Sequence, residues 1–244
     1  VTTAIRLSAH LSPTFFSKGV ALCAKHGWNF LHLLAVMLSE SGVHADAVNH
    51  ANPTAGACGL IQFMPNICAG LLGLDPKTQA QTARTRVLAM NAEQQLDLVE
   101  KFFAPFARFI LDSPARFYQA TFLPATLGRG SAFGTVITGS RQGDPFPFAY
   151  PPNIGFDIQL DAHRKIIRDG NGSPVRKGFI TVGDLQQRIE IVERESPAYW
   201  EELQGRAVDA GASPGGGPGI GAVAVGVVGV VLAAAAAGFV LARA

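Results

Sequence analysis

Glu40-Ser41 closes an apolar run, and Asn52-Pro-Thr-Ala-Gly56-Ala-Cys58-Gly59-Leu-Ile-Gln62-Phe63-Met64-Pro65 follows a short interval later. A carboxyl can donate a proton near neutral pH only if its pKa is raised. Two local features would raise that of Glu40. Leu31, Leu34, Ala35 and Leu38 recur at the spacing of one buried helical face, with Asn29 as N-cap and Gly42 as stop signal, so Glu40 falls in the last helical turn. There the carbonyl end of the helix dipole disfavours a negative charge, and the neighbouring bulk of Val36 and Met37 keeps water away. The chemistry expected is that of a general acid protonating a leaving oxygen. An ordinary solvated glutamate at a helix end is the alternative, and the downstream segment weighs against it.

That segment is rich in turn residues. Pro53 and Gly56 suit tight turns, and Gly59 allows a backbone to approach a ligand closely. Gln62 offers both a donor and an acceptor, suited to an amide or a hydroxyl-bearing ligand. Phe63 and Met64 supply apolar surface, either for a ligand face or for the core.

A Glu-Ser helix end followed by this Gly-Leu-Ile-Gln-Phe-Met-Pro segment resembles the soluble lytic transglycosylase family, which cuts the sugar backbone of peptidoglycan on a lysozyme-like fold. Asn91-Ala-Glu-Gln-Gln-Leu-Asp-Leu-Val-Glu-Lys-Phe-Phe-Ala-Pro-Phe106 is similar to the helix after the active-site loop in phage-type members, and Phe117-Tyr118-Gln-Ala-Thr-Phe-Leu-Pro124 to their next helix. The resemblance implies Glu40 as the catalytic acid and Ser41, Gly59, Gln62, Phe63 and Tyr118 as substrate-binding residues. It also implies cleavage of the MurNAc-GlcNAc β-1,4 bond to a 1,6-anhydro product with no cofactor or metal. Cellular members carry Ala-Tyr-Asn-Ala-Gly where this chain has Ala120-Thr121-Phe122-Leu123-Pro124. The tyrosine that bonds the catalytic glutamate is thus either absent or moved to Tyr118, which is equally a core residue with a satisfied hydroxyl. A hydrolysing muramidase is the nearest alternative and needs a second carboxylate, for which Asp46 is the nearby candidate. A virion structural or channel-forming protein whose domain only binds glycan is the alternative from another class.

Composition bounds these readings. The chain has 244 residues, 48% of them hydrophobic, enough for a core of one medium domain with additions. A net charge of +2 gives no argument for nucleic acid but tolerates an anionic wall polymer. Cys23, Cys58 and Cys68 lack metal-ligand spacing and are expected as buried thiols, with pairing of Cys58 and Cys68 reserved for an oxidising compartment. Val1 to Leu11 has neither the charged start nor the apolar stretch of a signal peptide, so delivery in a phage particle is expected.

The elements that must carry the motif read as mainly α, and the resemblance implies that 1–149 form a lysozyme-like (α+β) domain. Ser12-Pro13 starts a helix to about Lys25, Pro65 starts another, and further helices cover about 92–104 and 113–123. Gly128 to Pro152 reads as a long loop. A small Asp/Gly-rich extension occupies 150–195; its Asp169-Gly-Asn-Gly172 spacing is broken for a calcium loop by His163-Arg-Lys and Arg176-Lys177. Thr181 with Asp184 caps a helix there, and a short helix from Ser196-Pro197 and a Gly/Pro linker fill 196–219. Ile220 to Ala242 carries no charge and is long enough for a ~30 Å hydrocarbon core, so it reads as a membrane helix, with a buried helix as the alternative. Small residues at Gly217, Gly221, Ala222, Gly226, Gly229 and Ala233 favour self-association or packing against other virion proteins. The expected setting is a phage virion or bacterial envelope, with glycan strands and a lipid bilayer as partners.

Overall fold

Ser12 starts the first helix as its sequence requires. The Ser12 hydroxyl accepts from the Phe15 amide at 3.2 Å, Pro13 takes the first helical position, and α1 runs Pro13–His26 to a left-handed Gly27. In the computed structural model, residues 8–214 are described except 50, 51, 53, 141–143, 145, 151–154, 160 and 162–164. The calls on Pro53, His163, the Tyr150-Pro-Pro-Asn153 turn beyond Tyr150, the linker beyond Pro214 and the span from Ile220 to Ala242 fall partly or wholly outside these residues. Among the described residues no helix is long and apolar enough to cross a membrane.

Among the described residues the fold is mainly helical with one small antiparallel sheet. Helix α2, Phe30–Ser41, has the expected ends: the Asn29 side chain accepts from Leu31 N at 2.9 Å, and Gly42 at φ +63° stops it. Its burial exceeds the one face read from the spacing. Leu33, Val36 and Met37 are as buried as Leu34 and Ala35, because α1 and three later helices, α6 (Pro114–Phe122), α7 (Val182–Glu195) and α8 (Pro197–Asp209), all pack around it. A helix apolar on every side belongs in the centre of a core.

Helices α3 (Pro65–Leu71), α5 (Ala92–Phe103) and α6 (Pro114–Phe122) lie where their start signals put them. Asn91 and Gln94 form a reciprocal capping box on α5. Helix α4, Ala80–Leu88, had not been expected; its N-cap Gln79 makes no side-chain bond and it has few apolar residues, so it folds through its packing against α3.

The expected long loop from Gly128 to Pro152 contains β1, Val136–Gly139, which pairs antiparallel with β2, Phe179–Thr181, across a register irregularity between Val136 and Thr138. Buried Asp157 ties the intervening chain together, accepting from the Tyr150 hydroxyl, from Arg176 Nη1 at 3.0 Å and from Gly178 N at 3.1 Å. The Asp169 turn is closed by its own chain, with Asp169 Oδ1 accepting from Asn171 N and Ser173 N at 2.9 Å each.

Thr181 caps α7, Val182–Glu195, in the expected reciprocal box with Asp184. Although it comes from the stretch read as an extension, α7 packs across α2 and α6 and shares their core. Helix α8, Pro197–Asp209, lies along α1 and clamps the N-terminal segment: Arg206 donates to Ser8 O and Leu11 O at 2.7 Å each.

Candidate active site

Glu40 stands in the last turn of α2, where α6 and α7 cross that helix. The residue is half-buried, yet its Oε1 is buried and has no hydrogen-bond partner among the described residues. From α6, Tyr118 is 1% exposed and its hydroxyl hydrogen-bonds the Glu40 carboxyl. The same hydroxyl accepts from Ser39 Oγ at 3.4 Å, and the ring packs edge-on against Phe156. Tyr118 is thus a core residue whose hydroxyl meets Ser39 and the Glu40 carboxyl. From α7, the exposed Arg188 places a positive charge within electrostatic reach of both.

Burial pushes the Glu40 carboxyl up to about 7, while the Tyr118 hydrogen bond and the Arg188 charge pull the other way. Burial also raises the Tyr118 phenol well above its ordinary value, and the Glu40 charge adds to that. At neutral pH this is a carboxyl shared between acid and anion beside a hydroxyl that stays protonated. Such a pair can give a proton and take one back.

The motif loop lies against the end of α2, and its residues are largely occupied in holding it there. Ser41 Oγ donates to Leu60 O at 2.8 Å and to Met37 O at 3.0 Å, so Ser41 joins helix to loop instead of presenting a free hydroxyl to a ligand. Gly59 was expected to allow close approach of a ligand. Its φ is +76°, and a Cβ there would lie 2.5 Å from Gln95 Oε1, so the group that approaches is the protein's own. Phe63, expected at a sugar face, is 2% exposed and packs edge-on against Phe102 in the core. Gln62 adopts φ +52°, a conformation uncommon for a residue with a side chain, and donates through Nε2 to Gly59 O at 3.2 Å and Ala47 O at 3.4 Å. No described residue engages its Oε1, which leaves the half-buried amide an acceptor to offer. Asp46 turns to solvent beside His44, at 4.0 Å, and behaves as a turn residue.

Three residues that organise the site escaped the sequence reading. Gln95 of α5, fully buried, accepts from Leu60 N at 2.9 Å and donates to Ala45 O at 2.7 Å and Val87 O at 2.9 Å. Its signal was available: a glutamine sits among Ala92, Leu96, Val99 and Phe103, where helical periodicity calls for an apolar residue. Arg84 of α4, also buried, supports the loop by donating from Nε to Gly56 O at 2.9 Å. Tyr199 of α8 donates to Gly42 O at 2.9 Å and holds the end of α2; like Arg188 it depends on tertiary packing alone.

No family model, no curated protein and no solved structure matches this chain. The class that these observations define is a mainly helical domain with a buried, proton-holding carboxyl at the end of its central helix.

Proposed function

We propose that the protein is a peptidoglycan lytic transglycosylase built on a lysozyme-like arrangement, with Glu40 as its acid and base. One observation carries the reading: a buried carboxyl, raised to about 7, hydrogen-bonded by a buried tyrosine at the end of the central helix. Glu40 protonates the oxygen leaving C1 of MurNAc as the glycosidic bond breaks. The resulting carboxylate then accepts the proton of the MurNAc C6 hydroxyl while that oxygen bonds to C1, giving a 1,6-anhydro end and restoring the acid. No water is consumed. One carboxyl suffices because the nucleophile belongs to the substrate, whereas glycosidases that add water use two. Tyr118 orients the carboxyl, and the Gln62 carbonyl offers an acceptor to an N-acetyl N–H or a sugar hydroxyl.

The setting we propose is a phage particle or the bacterial envelope, with the uncharged run from Ile220 to Ala242 as the membrane attachment. The deciding experiment digests purified sacculi with the wild-type chain and with Glu40→Gln, then resolves the released fragments. The wild type should give anhydro-MurNAc ends, and the variant should lose about 10²–10⁴-fold in rate while remaining folded. Equal clearing by both chains removes Glu40 from the mechanism. Reducing MurNAc ends instead identify a hydrolase.

A further inference from the structure

Cys58 and Cys68 are fully buried and unbridged, with their Sγ atoms 4.0 Å apart. They stand on the two sides of the motif loop. Cys58 opens it, exchanging backbone bonds with Phe63 (Cys58 N to Phe63 O 3.0 Å, Phe63 N to Cys58 O 2.8 Å). Cys68 sits in the first turns of α3 and directs its thiol toward Phe63 O at 3.9 Å. Sulfurs in van der Waals contact need only close to the ~2.05 Å of a disulfide, a change that side-chain rotation can supply. The third cysteine, Cys23, is buried in α1, and burial together with the Glu100 charge pushes its thiol up to about 12.

We propose that Cys58 and Cys68 are an oxidation site, forming an intramolecular disulfide that locks the loop from Gly59 to Gln62 onto α3. The pair is chemically asymmetric. A hydrogen bond from Cys68 holds the Cys58 thiol below its ordinary value, with the Arg84 charge helping, whereas the Cys68 thiol is raised. Either cysteine, as its thiolate in the open loop, displaces one thiolate from a small disulfide such as oxidised glutathione and forms a mixed disulfide; the other, deprotonated in turn, attacks the same protein sulfur and expels the second thiolate. The protein loses two protons and two electrons, and the oxidant becomes two thiols. Since both sulfurs are buried, the exchange takes place during folding, before the loop closes, or upon its opening.

The test refolds the full chain in a buffer of oxidised and reduced glutathione, quenches with iodoacetamide, and maps the peptides by mass spectrometry. The expected product is a single cross-linked peptide pair joining Cys58 to Cys68, with Cys23 alkylated and an intact mass two hydrogens below that of the reduced chain. The oxidised protein should melt roughly 5–10 °C higher than the reduced one, since the bond constrains the unfolded chain. A Cys23→Ser chain, which keeps only the pair, should close the same bond. Three alkylated cysteines, a bond involving Cys23, or an oxidised form that melts no higher than the reduced one overturns the proposal.

Discussion

Glu40 holds its proton to about 7 because burial penalises the anion more than Tyr118 and Arg188 favour it. Its unfolded value is 4.5, so the folded state binds the extra proton between the two pKa values. The stability from this group is fully present below 4.5 and is lost as pH rises through about 7. Replacing the acid by a neutral amide removes that dependence. Between about pH 5 and pH 8 we expect Glu40→Gln to lose about 1–3 kcal/mol less stability than the wild type, measured by urea denaturation at both values. Glu193, also raised to about 7 by burial and by Glu190, contributes the same slope to both chains and cancels in the comparison. Tyr118→Phe keeps the ring packing and removes the hydrogen bond to the carboxyl. It should slow cleavage roughly tenfold, the worth of one net hydrogen bond, and move the alkaline limb of the pH–rate profile upward because the anion loses a donor. An unshifted profile would show that the hydroxyl does not act on Glu40. At this scale the sequence placed Glu40 at its helix end, since cap and stop signals are local facts, whereas the burial that raises its carboxyl comes from packing. It misjudged Gly59 and Phe63, because whether a turn glycine admits a ligand or its own Gln95, and whether a phenylalanine faces a sugar or the core, depends on elements far along the chain.

Helices announced by caps were legible because a cap is a bond between near neighbours: Ser12 to Phe15, Asn29 to Leu31 and Thr181 to Asp184 all formed. Helix α4 and strands β1 and β2 were not, since α4 lacks a cap bond and the strands pair Val136 with Thr181 across a long stretch of chain without a hairpin turn. The supports of the motif loop share this non-local character. Gln95 reaches the loop from α5, and replacing it with leucine leaves Leu60 N and Ala45 O without their partner, while Val87 O keeps its bond from Met90 N. We expect Gln95→Leu to cost about 2–4 kcal/mol in chemical denaturation; a loss under about 0.5 kcal/mol would mean that the loop rearranges freely. Arg188 makes a separate case, because α7 delivers its charge to Glu40 from the solvent side. Arg188→Gln should leave stability nearly unchanged and extend activity to higher pH, as the carboxyl then keeps its proton longer. The effect should shrink with added salt, which already screens the guanidinium in the wild type.

The first and last described segments belong to one structure. Ser8 bonds Glu202 and accepts from Arg206, Arg206 also lies over the Phe16 ring, and the buried Leu203 and Ala207 complete the core beside α1. A chain ending after Pro214 should therefore keep the fold and its activity without detergent, whereas one ending before Ser196 should not fold; circular dichroism and sacculus clearing distinguish these outcomes. On a ribosome the same arrangement imposes an order of events. Helix α2 is made early, yet the helices packed against it include α8, the last of the described elements to be made. At ordinary rates of synthesis the interval between Ser41 and Asp209 is roughly 10–30 seconds. For all of that time the most apolar helix of the described chain lacks its full cover, which is complete only once α8 has emerged.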